Sequence, residues 1–424
     1  MIQKIKYLLY FSLANYFAFF AKIRLKRWKP RIFAVTGSSG KTTLLHLIQS
    51  QLGGRAKYSF KANSSFGIPF DILGLHRETL TLGEWPKLFV LTPFRAFKEP
   101  PNEKIYVVEV DCDRPGEGKF LGELLRPEVT LWISSSKTHS MNFDRLIEKR
   151  IFPSVEESIA HEFGNFVITT QKLLIVNADY PVIKKQLARV KIKIKEVSYK
   201  GLLKKYLVSK KETEFQIGSK KYTFQYLLPK ETCASILMVL ELLDYLGVKP
   251  DPTFKNFKLP PGRSSVFRGV KGTTIVDSTY NANFDSMSVV LHAFGEIEAE
   301  SKWVVLGDML EQGKAEKEEH EKLAELIEEH KFDRIILMGP RISEYTYPKL
   351  RNLENRGVKV VKFLGPREVL DYLEEEIEGG ETILFKGARF LDGVIEHLLI
   401  DKRDVAKLPR REKVWDTRRR KWGL

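Results

Sequence analysis

The chain has 424 residues, 43% hydrophobic and 29% charged, the make-up of a soluble globular protein of two or three domains with a large core. Its two cysteines, Cys112 and Cys233, are too few and too far apart for a disulfide framework or a zinc site, which points to a reducing, cytoplasmic setting. The net charge of +16 is concentrated at the ends: residues 1–30 hold seven Lys or Arg and no acid, residues 402–424 hold ten against three acids, and the body between them is nearly neutral. A nucleic-acid enzyme would carry its basic stripe on the folded body.

Taken in chain order, the first element is a charge-free run, Tyr7 to Ala21, rich in Leu, Phe, Tyr and Ala and flanked by lysines and arginines. As a helix this run is about 22 Å long, short of the ~30 Å hydrocarbon core of a bilayer. The aromatics and basic flanks predict association with an anionic membrane surface through an interfacial helix, with a helix packed on the next domain as the alternative. RIFAVT (31–36) reads as a short buried strand ending at a Gly-rich turn, and 41–52 as a helix. KIYVVEVD (104–111), VTLWI (129–133) and KLLIVN (172–177) are further buried strands. Strands alternating with helices predict a mostly parallel sheet covered on both faces. Residues 198–226 alternate apolar and polar side chains, as in a small antiparallel region, and 231–247 return to a helix.

The stretch 249–263 is rich in Pro and Gly and reads as a hinge. Beyond it TTIVDS, KWVVLG, RIILMG and TILFKG restart the strand–helix pattern, predicting a second, smaller Rossmann-like α/β domain. The predicted organisation is an N-terminal segment (1–30), a central ATPase domain of P-loop type (31–258), the Rossmann-like domain (259–400) and a basic tail (401–424).

Residues 36–43, TGSSGKTT, lie between a strand and a helix. Gly37 and Gly40 permit a tight turn whose amides, with Ser38, Ser39 and Thr43, face an anion. Lys41 can reach β and γ phosphates, and the Thr42 hydroxyl can hold Mg²⁺. Val35 stands where the general Walker pattern has its first Gly.

At this loop the sequence resembles the Mur ligases, and the resemblance continues in order. NSSFGIP (63–69), Glu109 followed by Gly116-Glu117, Pro127 with His139, Pro-Gly-Arg at 261–263, DSTYNAN (277–283), LGDMLEQG (306–313) with His320, and KGAR (386–389) are similar to segments of that family, the last several to its MurF-like members. The resemblance implies ATP-dependent amide-bond formation: a carboxylate is phosphorylated, an amine attacks the acyl phosphate, and phosphate leaves. Lys41, Glu109 and His139 are then the expected catalytic residues, with Thr42, Glu109 and His139 holding Mg²⁺ and Asp111 as the rival to Glu109. Arg263, Asp277 and Asn281 are expected at the nucleotide, and Asn63, Tyr280, Asn283, Asp308 and Lys386 at the substrates, with structural capping as the alternative for Asp308 and Lys386. The expected partners are ATP, a cell-wall precursor peptide and an amino-acid or dipeptide amine. The expected protein is a monomer that binds no nucleic acid, in the cytoplasm and peripheral at the inner face of its membrane.

Departures from the family pattern are equally legible. No lysine stands in IAHEFGN (159–165), where many members carry a carbamylated lysine; His161 or Glu162 are the candidate substitutes. Ser64, Ser134, Glu231, Ser235 and Ser278 replace other usual residues. Only about 35 residues precede the loop, too few for a packed UDP-binding domain of the MurF kind, so the acceptor is expected to be carried in part by a lipid or another protein. A poly-γ-glutamate synthetase-like ligase and a nucleotide-binding, non-catalytic scaffold are the alternative readings.

Overall fold

The computed structural model describes residues 2–60, 62–77, 81–387 and 390–424, without the side chains of 2–8 and Leu82. Ala388 and Arg389 of the KGAR segment thus lie outside the described residues.

The first six strands are β1 (Arg31–Thr36), β2 (Ala56–Ser59), β3 (Ile105–Val110), β4 (Val129–Trp132), β5 (Leu173–Asn177) and β6 (Lys193–Val197). They form one parallel sheet in the order β2-β3-β1-β4-β5-β6. β1, β3, β4 and β5 are almost wholly buried, as continuous apolar runs covered on both faces must be. The short β2 and the Lys-rich β6, which sequence pattern alone does not single out, close the two edges. Strand order reverses around β1, so the loops after β1, β3 and β4 open at the topological switch point where such sheets bind ligands.

β7 (Leu203–Val208), β8 (Thr213–Ile217) and β9 (Lys220–Phe224) form the expected antiparallel sheet. A second six-stranded sheet has the order β10-β11-β15-β12-β13-β14, from β10 (Ser265–Arg268), β11 (Thr274–Ser278), β12 (Lys302–Gly307), β13 (Arg334–Met338), β14 (Lys359–Phe363) and β15 (Thr382–Lys386). All its pairs are parallel except β10 with β11. The four apolar segments read as strands are β11, β12, β13 and β15.

The compact units do not follow the chain as consecutive stretches. One comprises residues 1–136, 142–201 and 234–257; the other comprises 137–141, 202–233 and 258–424. The antiparallel sheet and the loop carrying His139 therefore group with the second unit, where the sequence places one continuous domain over 31–258.

Within the first unit, the N-terminal helix α1 (Ile2–Trp28) is no free-standing segment. Ala14, Phe17, Ala18, Ala21 and Trp28 are buried, most of them in the core beneath the sheet. Phe17 packs edge-on to Phe70, 4.8 Å between ring centroids, and Tyr16 packs on Phe89 at 5.0 Å. The alternative expectation, a helix packed on its domain, describes this face of α1, while Leu9, Leu13 and Phe19 on other faces remain exposed. Among the described residues no helix is long and apolar enough to cross a membrane.

Candidate active site

The loop after β1 is built by backbone freedom at two glycines. Gly37 has φ +137° and its Cα faces the backbone of Ser134, where an added Cβ would fall 2.7 Å from the carbonyl oxygen. Gly40, at φ +80°, is the left-handed residue that starts α2 (Lys41–Leu52). The loop is stapled to the segment after β4. Ser38 N–H donates to Ser134 O at 3.2 Å. The Ser134 hydroxyl accepts from Ser39 N–H and donates to Ser39 O, both at 2.8 Å. The Ser38 hydroxyl donates to Ser136 O at 3.0 Å and accepts from Ser136 N–H at 2.9 Å. Ser134, which replaces a usual Asn of the resembled family, thus holds the turn closed. The helix carries no side-chain N-cap, and its first backbone bond is Leu44 N–H to Gly40 O at 3.0 Å. The amides of Lys41, Thr42 and Thr43 therefore form an N-terminal donor set suited to an anion.

Lys41 is 8% exposed and its ammonium lies inside this turn, 2.5 Å from Gly37 O and 2.6 Å from the Asp111 carboxylate. Burial alone would lower its pKa, but Asp111, Glu109 and Asp113 together push it above the ordinary lysine value. Asp111 is fixed in turn by the Asn63 side-chain amide, and its own N–H donates to Asn63 O at 2.8 Å. Thr42 donates its hydroxyl to Glu109 at 2.9 Å. Glu109 is the residue of β3 in register with Val35 of β1, which places its carboxylate at the loop's mouth. The structure therefore brings Lys41, Thr42 and Glu109 together, and adds Asn63, which the sequence assigns to the substrates. Asp111, ranked there below Glu109, is the direct partner of Lys41. The missed signal is period two: residues 109 and 111 share one face of an extended chain.

Glu117 and Glu162 anchor the surroundings. Glu117, 1% exposed, accepts from Ser65 N–H at 3.0 Å, Ser65 hydroxyl at 2.7 Å and Asp113 N–H at 3.1 Å. Glu162 accepts from Gly118 N–H at 2.7 Å, in the first turn of the helix Glu117–Leu125. That carboxylate is spent on a helix N-terminus, and His161 faces Arg189 at 3.2 Å. Neither is presented as a metal ligand in place of the absent lysine.

His139 falls in the second unit, at φ +50°, with its ring Nδ1 against the Glu311 carboxylate. It is not among the residues that the first unit gathers around Lys41.

In the second unit, the ends of β11 and β15 carry a separate buried cluster. Asp277 is fully buried and accepts from Thr279 N–H at 2.9 Å and hydroxyl at 2.7 Å. Burial pushes its pKa up to about 6, with Asp392 adding to the rise. Lys386 is 3% exposed and donates to Asn281 O. Burial, then Arg263 and Arg410, hold its pKa down at about 7. Arg263 follows Gly262 and lies over the Tyr280 ring, 4.1 Å from its centroid. Arg263, Asp277, Tyr280, Asn281 and Lys386 are therefore neighbours. Asn283 and Asp308 each bond backbone. Asn283 is the N-cap of the helix Phe284–Gly295, in a reciprocal box with Ser286. Asp308 accepts from Ile342 N–H at 2.9 Å at the start of the turns after β13. His320 is fully buried, accepting from Met309 N–H at 3.1 Å and donating to Glu316 O at 2.7 Å. Asp308 and His320 of the Leu-Gly-Asp-Met…His segment thus both bond backbone groups.

The sequence marks the basic tail but not its ion pairing. Arg410, Arg411 and Arg419 converge on Asp392, which is 1% exposed, at 3.5, 2.6 and 3.3 Å. Arg410 also donates to Thr279 O at 3.0 Å. Part of the terminal charge read as a surface feature is consumed in the fold.

Residues 262–389 match the family model described as Mur ligase, glutamate ligase domain. The UDP-N-acetylmuramoyl-tripeptide--D-alanyl-D-alanine ligase of Bacillus subtilis (strain 168) is 23% identical over 380 residues, covering 87% of this chain and 75% of its own length. The chain is MurF-like. The crystal structure of MurF ligase from Thermotoga maritima in complex with ADP superposes with a TM-score of 0.70 and 21% identity, covering 96% of this chain and 84% of that one. Folylpolyglutamate synthase of Mycobacterium tuberculosis, complexed with ADP and AMPPCP, gives a TM-score of 0.57 at 13% identity over 89% of this chain and 94% of that one. The MurF-like chain has the Mur ligase fold: a P-loop-type α/β unit, then a second α/β unit.

Proposed function

We propose that this MurF-like chain is an ATP-dependent ligase that joins the amine of D-alanyl-D-alanine to the terminal carboxylate of a cell-wall precursor peptide. The reading is carried by one observation: Lys41 is buried in a Gly-rich turn at a sheet switch point, with its charge held by Asp111 2.6 Å away. A buried ammonium next to unused helix-terminal amides is a preformed receptor for a triphosphate, whose oxygens would take the place of the Gly37 and Ser38 carbonyls.

The oxygen donors beside it suit Mg²⁺. Thr42 and Glu109 meet at 2.9 Å and both offer oxygen, the donor type a hard cation takes. These two residues would hold the ion, which when bound supplies charge neutralisation between carboxylate and triphosphate. Asn63 keeps Asp111 oriented toward Lys41, so the ammonium is positioned before substrate arrives. His139 as a third ligand belongs to this proposal, as do Arg263, Asp277 and Asn281 at the nucleotide and Tyr280 and Lys386 at the incoming amine. In the reaction the γ-phosphoryl group passes to the peptide carboxylate, the amine displaces it, and ADP and phosphate are released with one new amide. A monomer acting on the cytoplasmic side is proposed with it.

The test is phosphate release from Mg-ATP with precursor peptide and D-Ala-D-Ala, separately and together. Release only with both is expected, falling at least about 10³-fold in Lys41→Ala. Release with glutamate in place of the dipeptide, or nucleotide binding without turnover on any acceptor, would replace this reading.

A further inference from the structure

α1 buries Phe17 and Trp28, whereas the helix it braces keeps a row of large apolar side chains exposed. The helix Trp85–Phe97 packs along α1. Three of its large apolar side chains face water: Val90 is 65% exposed, Phe94 71% and Phe97 62%. Their spacing of four and three residues makes one continuous stripe. In the sequence from Trp85 to Lys98 there is no acidic residue, and Lys87, Arg95 and Lys98 accompany the stripe.

The stripe is held in place from behind. Pro93 has no N–H to give to Phe89 O, and the Tyr16 hydroxyl of α1 donates to that carbonyl at 2.9 Å instead. At the C-terminal end, Arg24 donates to Arg95 O and, at 2.9 Å, to Glu99 O. Arg27 donates to Ala96 O at 3.1 Å and to Lys98 O at 3.0 Å. Two guanidinium groups thus cap the last carbonyls. Their charge adds to that of Arg95 and Lys98, and among the described residues no carboxylate forms an ion pair with any of the four. Burial, then repulsion from Arg27 and Arg95, lowers the pKa of Arg24, as expected of a cationic cluster without a counter-ion. On α1 itself Phe19 is 61% exposed, and Lys22 and Lys26, three and seven residues on, are exposed on the same side.

Large exposed apolar side chains beside uncompensated positive charge fit a surface that offers both hydrocarbon and anionic groups. We propose that the Val90–Phe94–Phe97 stripe, with the accessible cations Arg27, Arg95 and Lys98 at its end and the buried Arg24 bracing them, is the docking face for an anionic lipid membrane. Phe94 and Phe97 enter the boundary between headgroups and acyl chains, and the accessible cations meet lipid phosphates. The helix lies in the membrane plane and does not span it. The inference does not rest on the ligase reading, and its test needs no turnover.

Full-length protein is sedimented with vesicles of equimolar phosphatidylglycerol and phosphatidylcholine, and with phosphatidylcholine alone. Binding to the mixed vesicles only is expected, weakening with salt. The double variant Phe94→Ser/Phe97→Ser is expected to lose at least about tenfold in partitioning, and Lys98→Glu about fivefold or more. Both should keep the wild-type melting temperature and nucleotide affinity, since these side chains face solvent. Equal binding to both vesicle types, no binding to either, or variants that sediment like wild type would overturn the proposal. So would sedimentation velocity showing a wild-type dimer that the double variant dissociates, which would give the stripe to a second copy of the chain.

Discussion

Replacing Lys386 by Met isolates the cost of keeping an ammonium in the second unit's core. The side chain is 3% exposed, and its pKa is held at about 7, against an ordinary lysine value of 10.5, by burial and by Arg263 and Arg410. Between those two values the unfolded chain binds a proton that the folded chain does not. Stability from this group therefore rises with pH, by up to about 1.4 kcal/mol per pH unit. Because the group is half titrated near pH 7, the gain between pH 7 and 9 is about 2 kcal/mol. Lys386→Met has nothing to titrate, so the difference between wild type and variant must change by that amount over this window. Hydrogen exchange of peptides covering β11 and β15 reads the local opening free energy without assuming that both units unfold together. A wild-type-minus-variant difference that stays flat from pH 7 to 9 would refute the argument: Lys386 would then be solvated or charge-compensated in the folded protein.

Asp277 gives the opposite sign. Its pKa is raised from an ordinary 3.8 to about 6 by burial, so its contribution is present at low pH and lost as pH rises through about 6. Asp277→Asn should remove a fall of up to about 1.4 kcal/mol per pH unit in the same peptides between pH 4 and 6. Asn283→Ala should cost about 1 kcal/mol through loss of the helix cap and leave KM for the amine unchanged in a turnover assay; a tenfold rise in KM at unchanged stability would give Asn283 a substrate role instead. Asp392→Asn leaves Arg411 and Arg419 without their shared carboxylate. It should cost about 3 kcal/mol and make residues 402–424 the first segment released in limited proteolysis.

Where the sequence was legible, the reason is that one physical rule acts locally. The four apolar runs of the second sheet and the four of the first had to be buried parallel strands, because a continuous β-rich run has nowhere else to go. The turn at 37–40 could be read because glycine adopts its φ values of +137° and +80° without the strain a side chain would bring. The edge strands β2 and β6 were not legible: at four and five residues, with Lys57 in one and Lys193 and Lys195 in the other, neither shows an apolar run.

Charge was the least legible property, because whether a cation is solvated, paired or buried depends on what packs against it. The tail arginines and those of α1 look alike in composition. Three of the former close on one buried carboxylate, Asp392, whereas Arg24 and Arg27 cap carbonyls and, among the described residues, pair with no carboxylate. The same holds for the acids near the loop. Glu109 and Asp111 differ by two positions in one extended segment, yet one meets a hydroxyl and the other an ammonium. Sequence could name the pair but not divide the work, because the division is made by Asn63, 48 residues upstream of Asp111, which turns one carboxylate toward Lys41. The contact that sets the two carboxylates apart thus joins residues distant along the chain, which local pattern cannot encode.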